Sequence, residues 1–433
     1  MAESIGTRTG GDGSSYVVER CQICDSVNLE PILFLGYLPP VNLMPVIGEP
    51  PREQSAYPAQ LLRCLRCQLV QLGLVVDPQI LFPPEYPYTS GTTKILRDNF
   101  AKLYRECQEL IGLGSNDLVV DIGSNDGTLL SNFKNGAHQV QGVEPARVGN
   151  LANEKGIPTL ISFFNTEVAT VIRAKHGTAK IVTATNVFAH MDNIHEILDA
   201  IISLLGHDGV FISESHYLMS LVETLQYDTI YHEHLRYYSF SSLEYLLEMH
   251  GLSVFHAKRI PTHGGSIRVY AARPGAYETR ESVAVIRQEE GRTELNSVRL
   301  SEFKNKVVMS KLDLYTLLFD IKKRGQRIFG IGAPSRASTL INYVGIDDGI
   351  LDCVLEIRGS HKIGKYIPGT LIPVIEESLL FEKQPEYALL LSWHIAEELA
   401  PKLSQKGFKG DFIVPLPTAH IVLNNEIPLV GAE

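Results

Sequence analysis

The chain is short of positive charge, sulfur and long apolar runs, and each shortage removes a class of function. Its 39 Lys and Arg face 49 Asp and Glu, a formal net charge of -10. Such a surface repels phosphate backbones in general, so nucleic acid is not expected as a partner. No uncharged apolar run approaches the roughly 20 residues that a bilayer demands, so no membrane association is expected. The first fifteen residues are rich in Gly and Ser and lack the apolar core of a signal peptide. They read as a flexible tail. With no export signal and only six cysteines, the expected location is cytoplasmic. A composition of 44% hydrophobic and 20% charged residues excludes wholesale disorder, and 433 residues exceed what one core usually supports. Two or three domains are expected.

Four of the six cysteines form two pairs, Cys21-Gln22-Ile23-Cys24 and Cys64-Leu65-Arg66-Cys67. A C-x-x-C turn converges two thiolates on one ion, and a second turn completes a closed tetrahedral site of the structural kind. Structural Zn2+ is therefore expected on Cys21, Cys24, Cys64 and Cys67. The competing reading, a redox C-x-x-C, requires a strand-to-helix context that neither pair has. Beyond the Pro- and Tyr-rich stretch 77–90, strands and helices alternate regularly: Leu118-Val119-Val120, then 139–144, 180–185 and 209–214. That pattern predicts an α/β, Rossmann-like doubly wound sheet, closed by an antiparallel pair at 252–257 and 266–272. A long polar amphipathic segment, 281–323, predicts one extended helix. A second α/β pattern follows it. The expected division is a tail (1–15), a zinc-binding module (16–76), a central domain (77–275) and a C-terminal α/β domain (276–433).

The loop Asp121-Ile122-Gly123-Ser124-Asn125-Asp126-Gly127 follows a buried strand and precedes a helix start. Glycines there let a ligand approach the backbone, and Glu144-Pro145 at the end of the next strand suits an adenosine ribose. The spacing departs from G-x-G-x-x-G. Asp121 and Asp126 would repel a pyrophosphate but suit an ammonium and a sulfonium, which favours S-adenosylmethionine over NAD. Asp126 can equally cap the helix. Asn186 is expected near the cofactor or as a turn residue, and Tyr86, Tyr88 and Ser90 are candidates for a lid over it. Segments 186–190 and 215–239 leave the fourth and fifth strands and should open on the same edge.

These features occur in one order with Tyr86-Pro87-Tyr88-Thr89-Ser90-Gly91, Tyr231-His232-Glu233-His234, His263-Gly264-Gly265-Ser266 and Gly330-Ile331-Gly332-Ala333-Pro334. Taken together they resemble the sugar C-methyltransferases, which methylate nucleotide-linked 4-keto-deoxysugars in deoxysugar biosynthesis. The resemblance implies a zinc-binding N-terminal domain, a central class I methyltransferase domain binding S-adenosylmethionine, and a C-terminal domain that helps hold the nucleotide sugar. It further implies that His234 removes the proton beside the ketone, with Tyr231, Glu233 and His190 around the sugar. The chemistry is consistent: a carbon nucleophile needs a base, and the enolate oxygen needs a donor. His232 and His234 alternate, so an extended segment would give them one face and a possible metal site.

In the C-terminal domain, the turn Gly332-Ala333-Pro334-Ser335-Arg336 opens a helix whose N-H groups, with Arg336, suit phosphates. Where the family usually carries an acidic residue followed by Asn-Pro or Ser-Pro, this chain reads Glu356-Ile357-Arg358-Gly359-Ser360. Thymidine diphosphate is the leading expected carrier. Alternatives are O- or N-methylation of another small molecule, a zinc-ribbon binding protein, and an NAD-dependent dehydrogenase. Oligomeric state is left open by the sequence.

Overall fold

The computed structural model describes residues 15–50, 53–82 and 90–427. The chain divides into two compact units, one of 1–31, 61–220 and 233–295, the other of 32–60, 221–232 and 296–433. Among the described residues no helix is long and apolar enough to cross a membrane.

The first unit is built on a seven-stranded sheet: β1 (Leu118–Ile122), β2 (Gln139–Val143), β3 (Thr159–Leu160), β4 (Ala179–Thr185), β5 (Leu205–His216), β6 (Ser253–Ile260) and β7 (Ser266–Ala272), in the spatial order β6-β7-β5-β4-β1-β2-β3. Strands β1 to β5 pair in parallel, and β7 runs antiparallel between β5 and β6. Every residue of β1 is buried. A parallel strand covered by helices on both faces needs a continuous apolar run, and Leu118-Val119-Val120 supplies it. The strand order reverses between β1 and β4, which opens a crevice outside their carboxyl ends.

A buried polar network fastens the helix Lys94–Leu110 to this sheet. Arg268 on β7 donates to both Glu214 on β5 (2.6 and 2.9 Å) and Glu106 (2.7 Å). Asn99 donates to Glu214 and accepts from Arg268, and Thr262 also donates to Glu214. A fully buried guanidinium is tolerable only when its donors are matched this completely.

The second unit carries a six-stranded sheet: β8 (Ile328–Ile331), β9 (Cys353–Glu356), β10 (Val374–Glu376), β11 (Tyr387–Leu390), β12 (Asp411–Val414) and β13 (His420–Val422), in the order β10-β9-β8-β11-β12-β13. Only β13 is antiparallel to its neighbour. The single helix expected over 281–323 is two, Glu281–Thr293 and Ser297–Lys323. Glu294 turns left-handed (φ 44°), and Asn296 caps the second helix by accepting the Arg299 N-H at 3.0 Å. The first helix belongs to the first unit and the second to the second unit. No Pro marks that break and the nearest Gly, Gly291, lies within the first helix, so the helix-forming composition hid it.

Candidate active site

The cysteine module lies in the first unit. All four sulfurs come within 4.8 Å of one another, and Cys21–Cys67 and Cys24–Cys64 are 3.4 Å apart. Four bonds of about 2.3 Å in a tetrahedron need sulfurs at close to this separation. The backbone N-H of Ile23 donates to Cys21 and that of Arg66 to Cys64, each at 3.4 Å. Both turns thus direct N-H groups at their first sulfur, stabilising thiolate charge. The Cys67 contact pulls the Cys21 thiol down to about 5. The same contact, with burial, holds Cys67 far above its ordinary value. One thiolate is favoured and a second is resisted, the state that a divalent cation resolves. The donor set fits one structural Zn2+, with no open position for catalysis.

At the carboxyl edge of β1 the chain turns through three left-handed residues, Gly123 (φ 71°), Asn125 (φ 50°) and Gly127 (φ 77°). Glycine is required at the first, where a Cβ would lie 2.8 Å from a Val187 methyl. Glu144 accepts the N-H groups of Asn125 (3.0 Å) and Ala146 (2.9 Å). A carboxylate has about four lone-pair sites, so room remains for ribose hydroxyls. Burial raises the Glu144 carboxyl, and those two N-H groups oppose the rise. Asp121 is fully buried and accepts from Thr183 Oγ1 at 2.6 Å; burial pushes its carboxyl up to about 7, against that hydrogen bond. Asp126 accepts from the Thr128 N-H and hydroxyl and from the Gly91 N-H, but the N-cap of the following helix is Gly127 and carries no side-chain cap. The Asn125 side chain accepts the Ser90 N-H at 2.8 Å. Ser90 and Gly91 are thereby seated on the loop, whereas Tyr86 and Tyr88 lie outside the described residues. Two buried oxygens here have no hydrogen-bond partner, Ser124 Oγ and Asn186 Oδ1. Asn186 is itself left-handed (φ 57°). Orphaned oxygens beside strained backbone are what a site looks like when its ligand completes the bonding.

Next to them is a small, mainly apolar pocket of about 130 Å3. Of the expected residues, Gly123, Pro145 and His190 line it. Sequence reasoning missed Phe163, Phe164, Asn165, Met191 and Asp192, which complete the wall. An apolar slot flanked by Glu144 and Pro145 suits an adenine next to a ribose.

His190 ends a tight 3-10 turn after β4 and stands at the pocket's edge. Its ring centroid is 4.9 Å from that of His234, and burial, then His234 and His263, lower its pKa well below the ordinary value. It is neutral at pH 7. His234, 5.0 Å from His216, is buried, as are Tyr231 and Glu233. His232 has its own surroundings. It packs on Tyr57 (5.7 Å), approaches the Pro58 carbonyl and is pushed down to about 4 by burial. The cluster runs on from His216 to His263 at 5.7 Å. Neither of these two was named as a site residue; the motif His263-Gly264-Gly265-Ser266, quoted for the resemblance, was the sequence signal for His263.

In the second unit, the turn after β8 is closed on itself. The Gly332 N-H donates to Leu355, the Ala333 N-H to Glu356, and Lys362 donates to the Ala333 carbonyl (2.8, 2.6 and 2.5 Å). Ser335 contacts Asn42 at 3.2 Å. Arg336 is buried, pairs in bidentate fashion with Asp228 (2.8 Å twice), and lies over Trp393, which also donates to Asp228. The guanidinium is therefore committed within the fold.

Three family models match the chain in order: a zinc binding domain at residues 21–82, a methyltransferase domain at 95–257 and a C-methyltransferase C-terminal domain at 261–417. Fold, loop and pocket thus define a methyltransferase that takes its methyl group from S-adenosylmethionine. The chain is 33% identical over 416 residues to the C-methyltransferase NovU of Streptomyces niveus, an alignment covering 94% of this chain and 97% of that one. It belongs to the C-methyltransferase family. Similar solved structures include an S-adenosylmethionine-dependent methyltransferase from Clostridium acetobutylicum (14% identity, TM-score 0.33, covering 41% of this chain and 92% of that one). Another is magnesium protoporphyrin IX methyltransferase from Synechocystis with bound SAH (14%, TM-score 0.32, 41% and 83%).

Proposed function

We propose that this C-methyltransferase acts on the carbon beside the ketone of a nucleotide-linked 4-keto-deoxysugar, with thymidine diphosphate as the leading carrier. The observation that carries the reading is His190 at the edge of the pocket, where burial favours its neutral ring, with the His234 ring 4.9 Å from it. Carbon methylation needs a base and a neutral hydrogen-bond donor at one place, whereas O- or N-methylation needs no enolate.

His234 takes the α-proton, and the electron pair of the broken C-H bond moves onto the ketone oxygen. Tyr231 or His190 donates to that oxygen, and Glu233 orients the imidazole. General-base assistance is worth roughly 10²- to 10⁴-fold and an oxyanion donor roughly 10²- to 10³-fold. S-adenosylmethionine, when bound, supplies an electrophilic methyl group with a neutral thioether as leaving group. Gly123, Ser124, Asn125, Asp126, Gly127, Pro145 and Asn186, with Ser90, shape its place; Asp121 and Glu144 flank it, and Tyr88 is assigned to the cofactor on the resemblance. Tyr86 is assigned to the sugar side. Gly332, Ala333, Pro334 and Ser335 are assigned to the carrier on the resemblance, although the Gly332 and Ala333 N-H groups are used within the fold; Lys362 brings an ammonium to that turn. Arg336 supports the turn through Asp228.

The test is mass spectrometry after incubation with S-adenosylmethionine and a panel of nucleotide-linked 4-keto-6-deoxysugars in deuterated water. A methyl gained on carbon, with deuterium entering recovered substrate beside the ketone, is expected. Methylation on oxygen or nitrogen without deuterium wash-in would move the chain to another acceptor class, and neither product despite cofactor binding would remove the sugar from consideration.

A further inference from the structure

Each carbon methylation leaves one proton on the enzyme, because the C-H bond that is broken has no basic leaving group to protonate. The base must lose that proton before the next turnover, yet His234 is only 4% exposed. Two further histidines stand next to it in the same unit. His216, at the end of β5, has its ring centroid 5.0 Å from that of His234, and His263 lies 5.7 Å beyond His216. Both are more exposed than His234, each being only partly buried. Centroid separations of this size are compatible with hydrogen bonding between ring nitrogens, directly or through one water. The same protein supplies the calibration: His195 and His250 have centroids 5.0 Å apart and nitrogens at 2.7 Å.

The backbone is arranged to hold His263 there. It sits left-handed (φ 55°, ψ 20°), followed by Gly264 (φ 88°) and Gly265 (φ 124°). A Cβ on Gly265 would lie 2.5 Å from Ser220 Oγ, so only glycine lets the turn pass. The neighbouring Thr262 hydroxyl is tied to Glu214, two residues before His216 on β5. Strain of this kind costs about 1–3 kcal/mol and persists where the surroundings over-determine it.

We propose that His216 and His263 are a proton exit path for His234. The inference rests on His234 being the base. The proton taken from carbon passes from His234 to one nitrogen of His216, whose other nitrogen releases a proton to His263 and then to solvent. Proton count is conserved and no other reactant is needed.

The test compares first and later turnovers on a thymidine-diphosphate-linked 4-keto-6-deoxysugar. His263→Asn is the primary variant because Asn tolerates positive φ better than other non-glycine residues, and His216→Gln is the second. Each should methylate one substrate per chain at close to the normal rate. Steady-state turnover should then fall about tenfold or more, and rising imidazole buffer should restore it. Equal loss in first and later turnovers, without a buffer response, would assign both residues a merely structural role. Normal steady-state rates in both variants would remove the relay. His234→Gln is run alongside: if it still turns over, or if the wild type neither exchanges nor methylates, the parent reading fails, and the relay with it.

Discussion

The chain holds two doubly wound sheets, and their first turns begin alike. Gly123 and Gly332 both follow the first strand at positive φ, and each turn donates an N-H to a glutamate at or just after the end of the second strand, Glu144 or Glu356. Beyond that they diverge. At β1 the edge is left open: Ser124 and Asn186 keep unpaired oxygens beside an apolar pocket of about 130 Å3. At β8 the edge is closed, with Lys362 on the Ala333 carbonyl and Arg336 locked to Asp228. A shared doubly wound plan therefore does not assign identical work. What separates a chemical site from a supporting one is which hydrogen bonds the protein leaves for a ligand to complete.

The sharpest way to break this contrast is to cut one residue at each edge. His234→Gln should lower turnover by roughly 10²- to 10⁴-fold while leaving the urea midpoint close to that of the wild type. Arg336→Ala should do the reverse. It strands the buried Asp228 carboxylate, so about 3–5 kcal/mol of stability should be lost, read from equilibrium unfolding. If Arg336→Ala proved nearly as stable as wild type but lost affinity for the nucleotide sugar, the guanidinium would belong to the substrate and the second edge would count as open.

A smaller effect separates the edges by pH. Asp121 has a carboxyl raised to about 7, with burial the largest cause and the Glu144 charge adding to it against the Thr183 hydrogen bond. A carboxyl that holds its proton more tightly when folded favours the native state at low pH. That advantage fades as pH rises from about 4 through 7, by about 4 kcal/mol at most. Asp121→Asn should remove this dependence. Melting curves of the ligand-free proteins between pH 5 and 8 should show the variant gaining on the wild type as pH rises, and parallel curves would mean that the carboxylate is better solvated than its burial implies.

Much of this was legible in the sequence because the signals are local. Leu118-Val119-Val120 before a glycine turn, the paired C-x-x-C spacing and the alternation of strands and helices each declare themselves within a few residues. What stayed hidden depends on distant segments meeting. His263 joins His216 because β7 folds back antiparallel against β5, a convergence across 47 residues that no periodicity encodes. Arg336 read as a phosphate ligand because its partner Asp228 lies 108 residues earlier. The break at Glu294 escaped because a glutamate in the left-handed region has no sequence mark.

The finest test of the contrast uses two helix caps that are chemically alike. Asn165 accepts the Val168 N-H at 2.9 Å and Asn296 accepts the Arg299 N-H at 3.0 Å, so alanine at either position should cost about 1 kcal/mol. Their surroundings differ. Asn165 lines the pocket beside β1, whereas Asn296 begins the long helix of the other unit. Calorimetry with S-adenosylhomocysteine should therefore find weaker binding for Asn165→Ala and unchanged binding for Asn296→Ala, at matched losses of stability. Equal affinities in the two variants would detach Asn165 from the cofactor and place the bound adenosine elsewhere along the β1 edge, towards Glu144, where the open carboxylate lone pairs would have to carry recognition without the cap.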